Sequence, residues 1–374
     1  MYNKERILQI AKRYNNPNRS YLLVNPLQAK HVPASPDHAL SMMIALGEKV
    51  NLEYPCAKLV IGFSETATAI GAVVAAQLSG CTYIQTTRES FSATENWINF
   101  VEEHSHATEQ KICKEPLASA LEKTDTVVFV DDELTTGKTL MNIVTQMRSA
   151  IPSFANKKIV AASIINRISN ENTKKLVNFG IQTVQLLKLT DEDYSSKVAD
   201  LEVVAPAEVP HPTGDLSHIT VNVNSSIPDP RVGTSIEEYI QSAHTLANEA
   251  LDIFCREIPQ NASVLVLGTE ECMYPALELG HVLSKHRQDC AVFCHATTRS
   301  PIGILDQDGY PARTGYRIHS IYDLQRVTYI YNIATYDTVI LLTDAPNPIA
   351  TAVDDLIRIF AHHGCRRLIE IRGN

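Results

Sequence analysis

The sequence predicts an α/β protein of two domains, each a parallel sheet with helices on both faces, the second a degenerate copy of the first. Three observations predict this. Short apolar runs rich in β-branched residues alternate with helix-periodic stretches. Three segments of the first half recur in the same order in the second half. The length of 374 residues exceeds what one core of ordinary size holds.

Composition narrows the function. A chain that is 44% hydrophobic and 20% charged is an ordinary globular one. A net charge of −9 with no basic block argues against nucleic acid as the main partner. The eight cysteines are scattered without a C-x-x-C pair, which suits reduced thiols and a cytoplasmic location. Cys290, Cys294 and His295 are close in sequence, but their apolar setting reads as a packed strand rather than a metal site. The opening MYNKERILQIAKRYNN lacks the apolar core of a signal peptide, and no run has the length of a membrane span.

Taken in order, Tyr21–Val24 is a short strand, followed by a loop stiffened by Pro26, Pro33 and Pro36 that carries Lys30 and His31. A helix runs from about Asp37 to Leu52, with Leu40, Met43, Ile44 and Gly47 on one face. Leu59–Ile61 is a strand, and the turn from Gly62 to Thr66 presents Ser64 and Thr66 with Glu65 between them before a helix begins at Ala67. Thr82–Gln85 is a strand ending in Thr86, Thr87 and Arg88, whose fork of donors suits a pyrophosphate. Residues 89–115 are polar and mixed and contain His104 and His106. Strands at Lys158–Ile165 and Thr183–Leu189 flank a helix at Asn172–Phe179. The pattern fades after Asp191 in a proline-rich stretch, so the domains are read as 1–205 and 231–374 with a linker at 206–230.

The most informative stretch is VVFVDDELTTGKT, Val127 to Thr139. Val127–Val130 reads as a buried strand ending in Asp131 and Asp132. Thr135, Thr136, Gly137, Lys138 and Thr139 then lead into a helix whose apolar face holds Leu140, Ile143, Val144 and Met147. A helix entrance offers unpaired N–H groups and a partial positive charge to an anion, and the threonines add hydroxyl donors. Two carboxylates beside that entrance accept hydrogen bonds from a pair of hydroxyls or serve a Mg²⁺ ion, directly or through water. A sugar carrying both a diol and a phosphate meets these needs together. The GKT at Gly137–Thr139 is not a nucleotide-triphosphate P-loop, because Asp132 stands where that motif requires glycine.

VVFVDDELTTGKT resembles the phosphoribosyl pyrophosphate (PRPP) signature of type I phosphoribosyltransferases of the orotate phosphoribosyltransferase-like kind. The resemblance implies a Rossmann-like fold, Mg²⁺ as cofactor, and PRPP and a nucleobase-like molecule as substrates, in a chain that pairs as a homodimer. Asp131 and Asp132 would take the ribose hydroxyls, Thr135–Thr139 the 5-phosphate, and Ser64, Glu65 and Thr66 with Arg88 the pyrophosphate. Glu65 departs from the family's pattern, since its carboxylate repels phosphate unless Mg²⁺ lies between. Lys30 and His31 would lie on an N-terminal hood over the acceptor. The family's mobile loop falls within 89–115, and His104 and His106 are its candidates for protonating the base.

The recurring segments pair Gly62 with Gly268, Arg88 with Arg299 and Asp132 with Asp344, at offsets of 206, 211 and 212 residues. In the second copy Thr343 replaces the first acid, and DAPNPIA replaces the phosphate loop, so it should not bind PRPP in the same way. TRSPIG, from Thr298, resembles the TRSP domain, and the whole chain resembles bacterial phosphoribosyltransferase–TRSP proteins encoded beside tellurium-resistance and stress genes. A second site would include Glu270, Thr298, Arg299 and Ser300. The resemblance implies synthesis of a nucleoside-like metabolite. The competing reading is a PRPP or nucleotide-binding regulator without catalysis.

Overall fold

In a computed structural model of the chain, residues 2–16, 20–89, 96–100, 110–189, 192–211 and 214–373 are described. They form two compact units that interleave along the sequence. A central unit holds Ser41–Glu192 and Pro228–Gln241, and a terminal unit holds Met1–Leu40, Asp193–Ile227 and Ser242–Asn374. Compact units therefore do not follow a cut at 205 and 230. The reason is an apolar contact no local pattern reveals. The antiparallel hairpin of Gln9–Lys12 and Tyr21–Val24 sets Ala11, Leu22 and Val24 into a cluster with Ile302, Tyr310, Ala312 and Tyr331.

The central sheet runs in the order Thr234–Ser235, Thr82–Gln85, Leu59–Gly62, Thr126–Leu134, Lys158–Asn166, Ile181–Lys188. All neighbours are parallel except Thr234–Ser235 against Thr82–Gln85. Leu59–Ile61 and Val127–Val130 are at most 1% exposed, so these strands are covered on both faces, as their unbroken apolar runs require. In register, Gly62 lies between Gln85 and Val130, and Asp131 lies opposite Ser163. The carboxyl ends of these strands gather the turns that carry chemistry.

The stretch 89–115 holds structure that its polar sequence hides. Trp97–Phe100 pairs antiparallel with Gln110–Cys113, and a helix follows at Lys114–Leu121. Four-residue strands are too short for a clear alternation, and Lys111 lies over the Trp97 ring at 4.8 Å.

The terminal unit has its own sheet, in the order Ser217–Val223, Arg367–Gly373, Thr338–Leu342, Ser263–Gly268, Ala291–Ala296, parallel throughout. Leu265, Leu267, Val339 and Leu341 pack against Leu356, Ile359 and Phe360 of the helix Ala350–His362. An antiparallel hairpin joins Gly315–His319 to Val327–Tyr331. The chain is thus α/β with two sheets built mainly of parallel strands. Among the described residues, no helix is long and apolar enough to cross a membrane.

Candidate active site

The strand that begins at Thr126 does not stop at the acids; it continues through Asp131, Asp132 and Glu133 to Leu134. Asp131 is partly exposed, and its Oδ1 accepts from the Asp132 N–H at 2.9 Å. Burial and the neighbouring Asp132 carboxylate push the Asp131 carboxyl well above the usual carboxylate range. Asp132 accepts through Oδ1 from the Thr66 hydroxyl at 3.0 Å, which joins the acidic strand end to the Gly62–Thr66 turn.

Glu133, the third acid in the row, has another task. Its carboxylate pairs with Arg167, just beyond the neighbouring strand. The two side chains are 8% and 19% exposed. Arg167→Gln should therefore lower stability by about 1–3 kcal/mol, read from urea denaturation, because it removes the cation paired with a mostly buried acid. Nothing in the sequence separates this acid from the two before it.

The turn at Ser64 is clamped from the next strand. The Thr86 hydroxyl accepts from the Ser64 N–H at 2.9 Å and donates to Gln110 Oε1 at 2.8 Å. The Thr86 N–H donates to the Gly62 carbonyl at 2.9 Å. Ser64 and Glu65 are buried, and the peptide between them is cis. Arg88 is half-buried two residues beyond Thr86. Thr86 and Gln110 are the residues a sequence reading misses, since their role depends on a hairpin partner far along the chain.

Past Leu134, Thr136, Lys138 and Thr139 are exposed, Thr135 is partly so, and Gly137 is buried. The helix Lys138–Ala150 has no side-chain cap and no acid in its first turn. The Lys138 N–H turns back to the Thr136 hydroxyl at 3.3 Å. Among the described residues, the N–H groups of Thr136, Gly137 and Thr139 donate to no protein acceptor, so the entrance keeps its donors for an anion. Glycine is required here on grounds other than close approach to a ligand. Gly137 has φ +75°, and a Cβ would lie 2.9 Å from Leu176 Cδ1.

Mg²⁺ binds through one or two carboxylates, with substrate phosphates and waters completing its shell. Among the described residues there is no cluster of three or more His, Cys, Asp or Glu able to cage an ion. The adjacent Asp131 and Asp132 do suit a shared ion, because a cation would offset both the burial and the repulsion that raise Asp131.

Lys30 and His31 belong to the terminal unit. Both are buried, and Lys30 Nζ donates to the Glu270 carbonyl at 2.7 Å and the Thr297 carbonyl at 2.9 Å. They are built into the end of the terminal sheet, where a hood over the acceptor was expected. His104 and His106 lie outside the described residues. Cys294 and His295 are packed inside the terminal unit; burial pushes the His295 imidazole down to about 4, and its Nε2 meets the Tyr331 carbonyl at 2.8 Å.

Glu270 is nearly fully buried, with φ +44°, in the left-handed region that strains a residue other than glycine. Its carboxylate accepts from Ser320, from Arg299 Nε at 2.7 Å and from Arg326 Nη1 at 3.0 Å. The Ser300 N–H donates to the Thr298 hydroxyl at 3.2 Å. Of the four residues expected at the second site, Glu270 and Arg299 therefore meet across two neighbouring strand ends, joined by Ser320 and Arg326, which no local signal marks. Two surface clefts, of about 440 and 340 Å³, are lined by residues at the opposite, amino ends of the strands in their respective units.

Residues 7–189 match the phosphoribosyl transferase family, and residues 229–360 match the TRSP domain, described as C-terminal to that transferase. Solved structures similar to the chain include an adenine phosphoribosyltransferase from Trypanosoma brucei, at 16% identity and a TM-score of 0.36, over 49% of this chain and 77% of that one. An orotate phosphoribosyltransferase from Aeropyrum pernix is 17% identical with a TM-score of 0.32, over 52% and 94% of the two chains. An adenine phosphoribosyltransferase from Leishmania tarentolae is 17% identical with a TM-score of 0.37, over 51% and 86%. No curated protein matches. Residues 7–189 thus form a phosphoribosyl transferase domain, of the pentosyl-transferring class of enzymes. More narrowly, the chain joins that domain to a TRSP domain.

Proposed function

We propose that the central unit binds PRPP with Mg²⁺ and transfers its ribose 5-phosphate to a ring nitrogen of a nucleobase-like acceptor. The observation that carries this is the link between Thr66 and Asp132, which gathers the acidic pair and the Ser64 turn beside an uncapped helix entrance. Asp131 and Asp132 hold the ribose hydroxyls. The N–H groups of Thr136, Gly137 and Thr139 and the threonine hydroxyls hold the 5-phosphate. Ser64, Thr66 and Arg88 face the pyrophosphate. Asp131 and Asp132 would hold a Mg²⁺ ion, which would supply charge neutralisation for the leaving group. In the transfer, the nitrogen lone pair forms the bond to the anomeric carbon while the carbon–oxygen bond breaks and its electrons leave with pyrophosphate. Fixing the sugar and neutralising the leaving group stabilise the cation-like sugar in between.

The test is release of pyrophosphate from PRPP and Mg²⁺ with a panel of nucleobases. Turnover with at least one base is expected, and Arg88→Gln should reduce kcat/KM about tenfold or more. Binding of PRPP without turnover across the whole panel would favour a regulator. In cells, loss of the gene should sensitise a bacterium to tellurite if the metabolite serves tellurium resistance.

We read the terminal unit as a changed copy of the central one. Supporting this, strands 291–296, 263–268, 338–342 and 367–373 stand in the same order as 82–85, 59–62, 126–134 and 158–166. The clamp also recurs. The Glu270 N–H donates to the Thr297 hydroxyl at 3.0 Å, as Ser64 does to Thr86 at 2.9 Å. The Thr297 N–H donates to the Gly268 carbonyl, as Thr86 does to Gly62. Thr298 exchanges backbone hydrogen bonds with Tyr329, as Thr87 does with Lys111.

A further inference from the structure

The two edges of the terminal sheet are finished differently. At the strand Ala291–Ala296, Cys294 exchanges backbone hydrogen bonds with Ala34, its N–H donating at 2.8 Å and its carbonyl accepting at 3.0 Å. The other edge is Ser217–Val223, which runs parallel to Arg367–Gly373. The Ser217 N–H donates to the Arg366 carbonyl at 3.0 Å, which fixes the phase of the ladder. Ser217, Ile219, Val221 and Val223 therefore turn their backbone groups toward the neighbouring strand. His218, Thr220 and Asn222 turn theirs outward, and among the described residues these backbone groups meet no protein partner. All three residues are exposed.

Natural edge strands carry a device that stops another strand from pairing: a lysine, a proline, a bulge or a covering segment. Among the described residues, Ser217–Val223 has none of these. It reads SHITVNV, and it pairs with its neighbour at every position without a bulge. Ile219, Thr220, Val221 and Val223 are β-branched and favour the extended form. The single ionisable side chain, His218, is turned back onto its own sheet, where Nε2 lies 3.0 Å from the buried Glu370 carboxylate. The strand is also held in place at its far end, where the Glu249 carboxylate accepts from the N–H groups of Asn224 and Ser225 at 2.7 and 2.9 Å. An ordered, uncharged row of open N–H and C=O groups is a template for one more strand.

We infer that this edge pairs with the same edge of a second copy of the chain, antiparallel, about a two-fold axis at Thr220. The strand is complementary to itself in that register. Thr220 stands opposite Thr220, His218 opposite Asn222 and Ile219 opposite Val221, so no like charges oppose each other. The outward residues fall at the hydrogen-bonded pairs, where each open N–H meets an open carbonyl. Ile219 and Val221 fall at the closer pairs between, where side chains pack. The uncharged seam holds nothing that selects a partner of opposite charge, and the two-fold axis closes the assembly at two copies. The inference uses the terminal unit alone and stands apart from the PRPP reading.

The test is sedimentation of the full-length protein at concentrations up to about 100 μM, where a monomer–dimer equilibrium is expected. Thr220→Pro removes one outward N–H and spares the ladder to Arg367–Gly373. Thr220→Lys sets two ammonium groups face to face on the axis. Each should weaken dimerisation about tenfold or more, and Thr220→Lys, at an exposed position, serves if Thr220→Pro fails to fold by its melting curve. Thr220→Cys should give, on mild oxidation, a disulfide between the two substituted positions, found by peptide mass spectrometry; a dimer built through another surface would not form it. A monomer at every concentration, a dimer that the folded variants leave unchanged, or an oxidised dimer without that disulfide would overturn the inference.

Discussion

Asp131→Asn is expected to make the protein more stable at neutral pH and to weaken PRPP binding more than tenfold, an order-of-magnitude figure for a lost charged hydrogen-bond acceptor. Burial, followed by the Asp132 charge, raises the Asp131 carboxyl, so the folded protein holds that proton more tightly than the unfolded chain does. As pH rises above the unfolded chain's ordinary carboxyl value, ionising Asp131 costs the folded state free energy, and the cost levels off once pH passes the raised value. Asparagine carries no such cost. The gain should be near zero at about pH 3 to 4 and reach about 1 kcal/mol at neutral pH, of the size typical for a relieved site. Thermal melts of both proteins across that range, without ligand, check the sign. Equal melting temperatures at neutral pH would mean that the acidic pair is not strained; unchanged PRPP affinity by titration would remove the pair from the sugar site.

Gly137→Ala should damage both the fold and the phosphate entrance. The residue's φ of +75° is costly for any residue with a Cβ, and the added carbon would sit 2.9 to 3.1 Å from the end of Leu176. We expect a loss of about 2 kcal/mol in chemical denaturation, together with weaker binding of PRPP. The double variant Gly137→Ala, Leu176→Ala separates the causes. It relieves the crowding but not the backbone strain, so strain alone predicts no recovery relative to Leu176→Ala. Full recovery would show that packing, not φ, makes glycine necessary.

Much of the central sheet is legible in short runs. Val127–Val130 and Leu59–Ile61 are apolar without alternation because both faces of each strand are covered, and the helix after Gly137 shows its face in Leu140, Ile143, Val144 and Met147. Asp131 and Asp132 stand out because an apolar strand seldom runs into two adjacent charges unless something outside the protein meets them. What escapes the sequence is long-range. Thr86 matters through Gln110, Glu133 through Arg167, and Glu270 through Ser320 and Arg326. Lys30 lies in a proline-rich loop, the usual mark of a solvated segment. Its ammonium nevertheless ends against carbonyls supplied by residues more than two hundred positions later.

The interleaving of the two units also bears on how the chain is made. A ribosome finishes Tyr21–Val24 early, yet Ile302, Tyr310 and Tyr331, which cover that hairpin, emerge only near the end. At roughly 5 to 20 residues per second, the hairpin waits on the order of tens of seconds with apolar side chains uncovered. A gene truncated after residue 205 would leave that debt permanently unsettled, so separating the two units by deletion invites aggregation where point substitution does not.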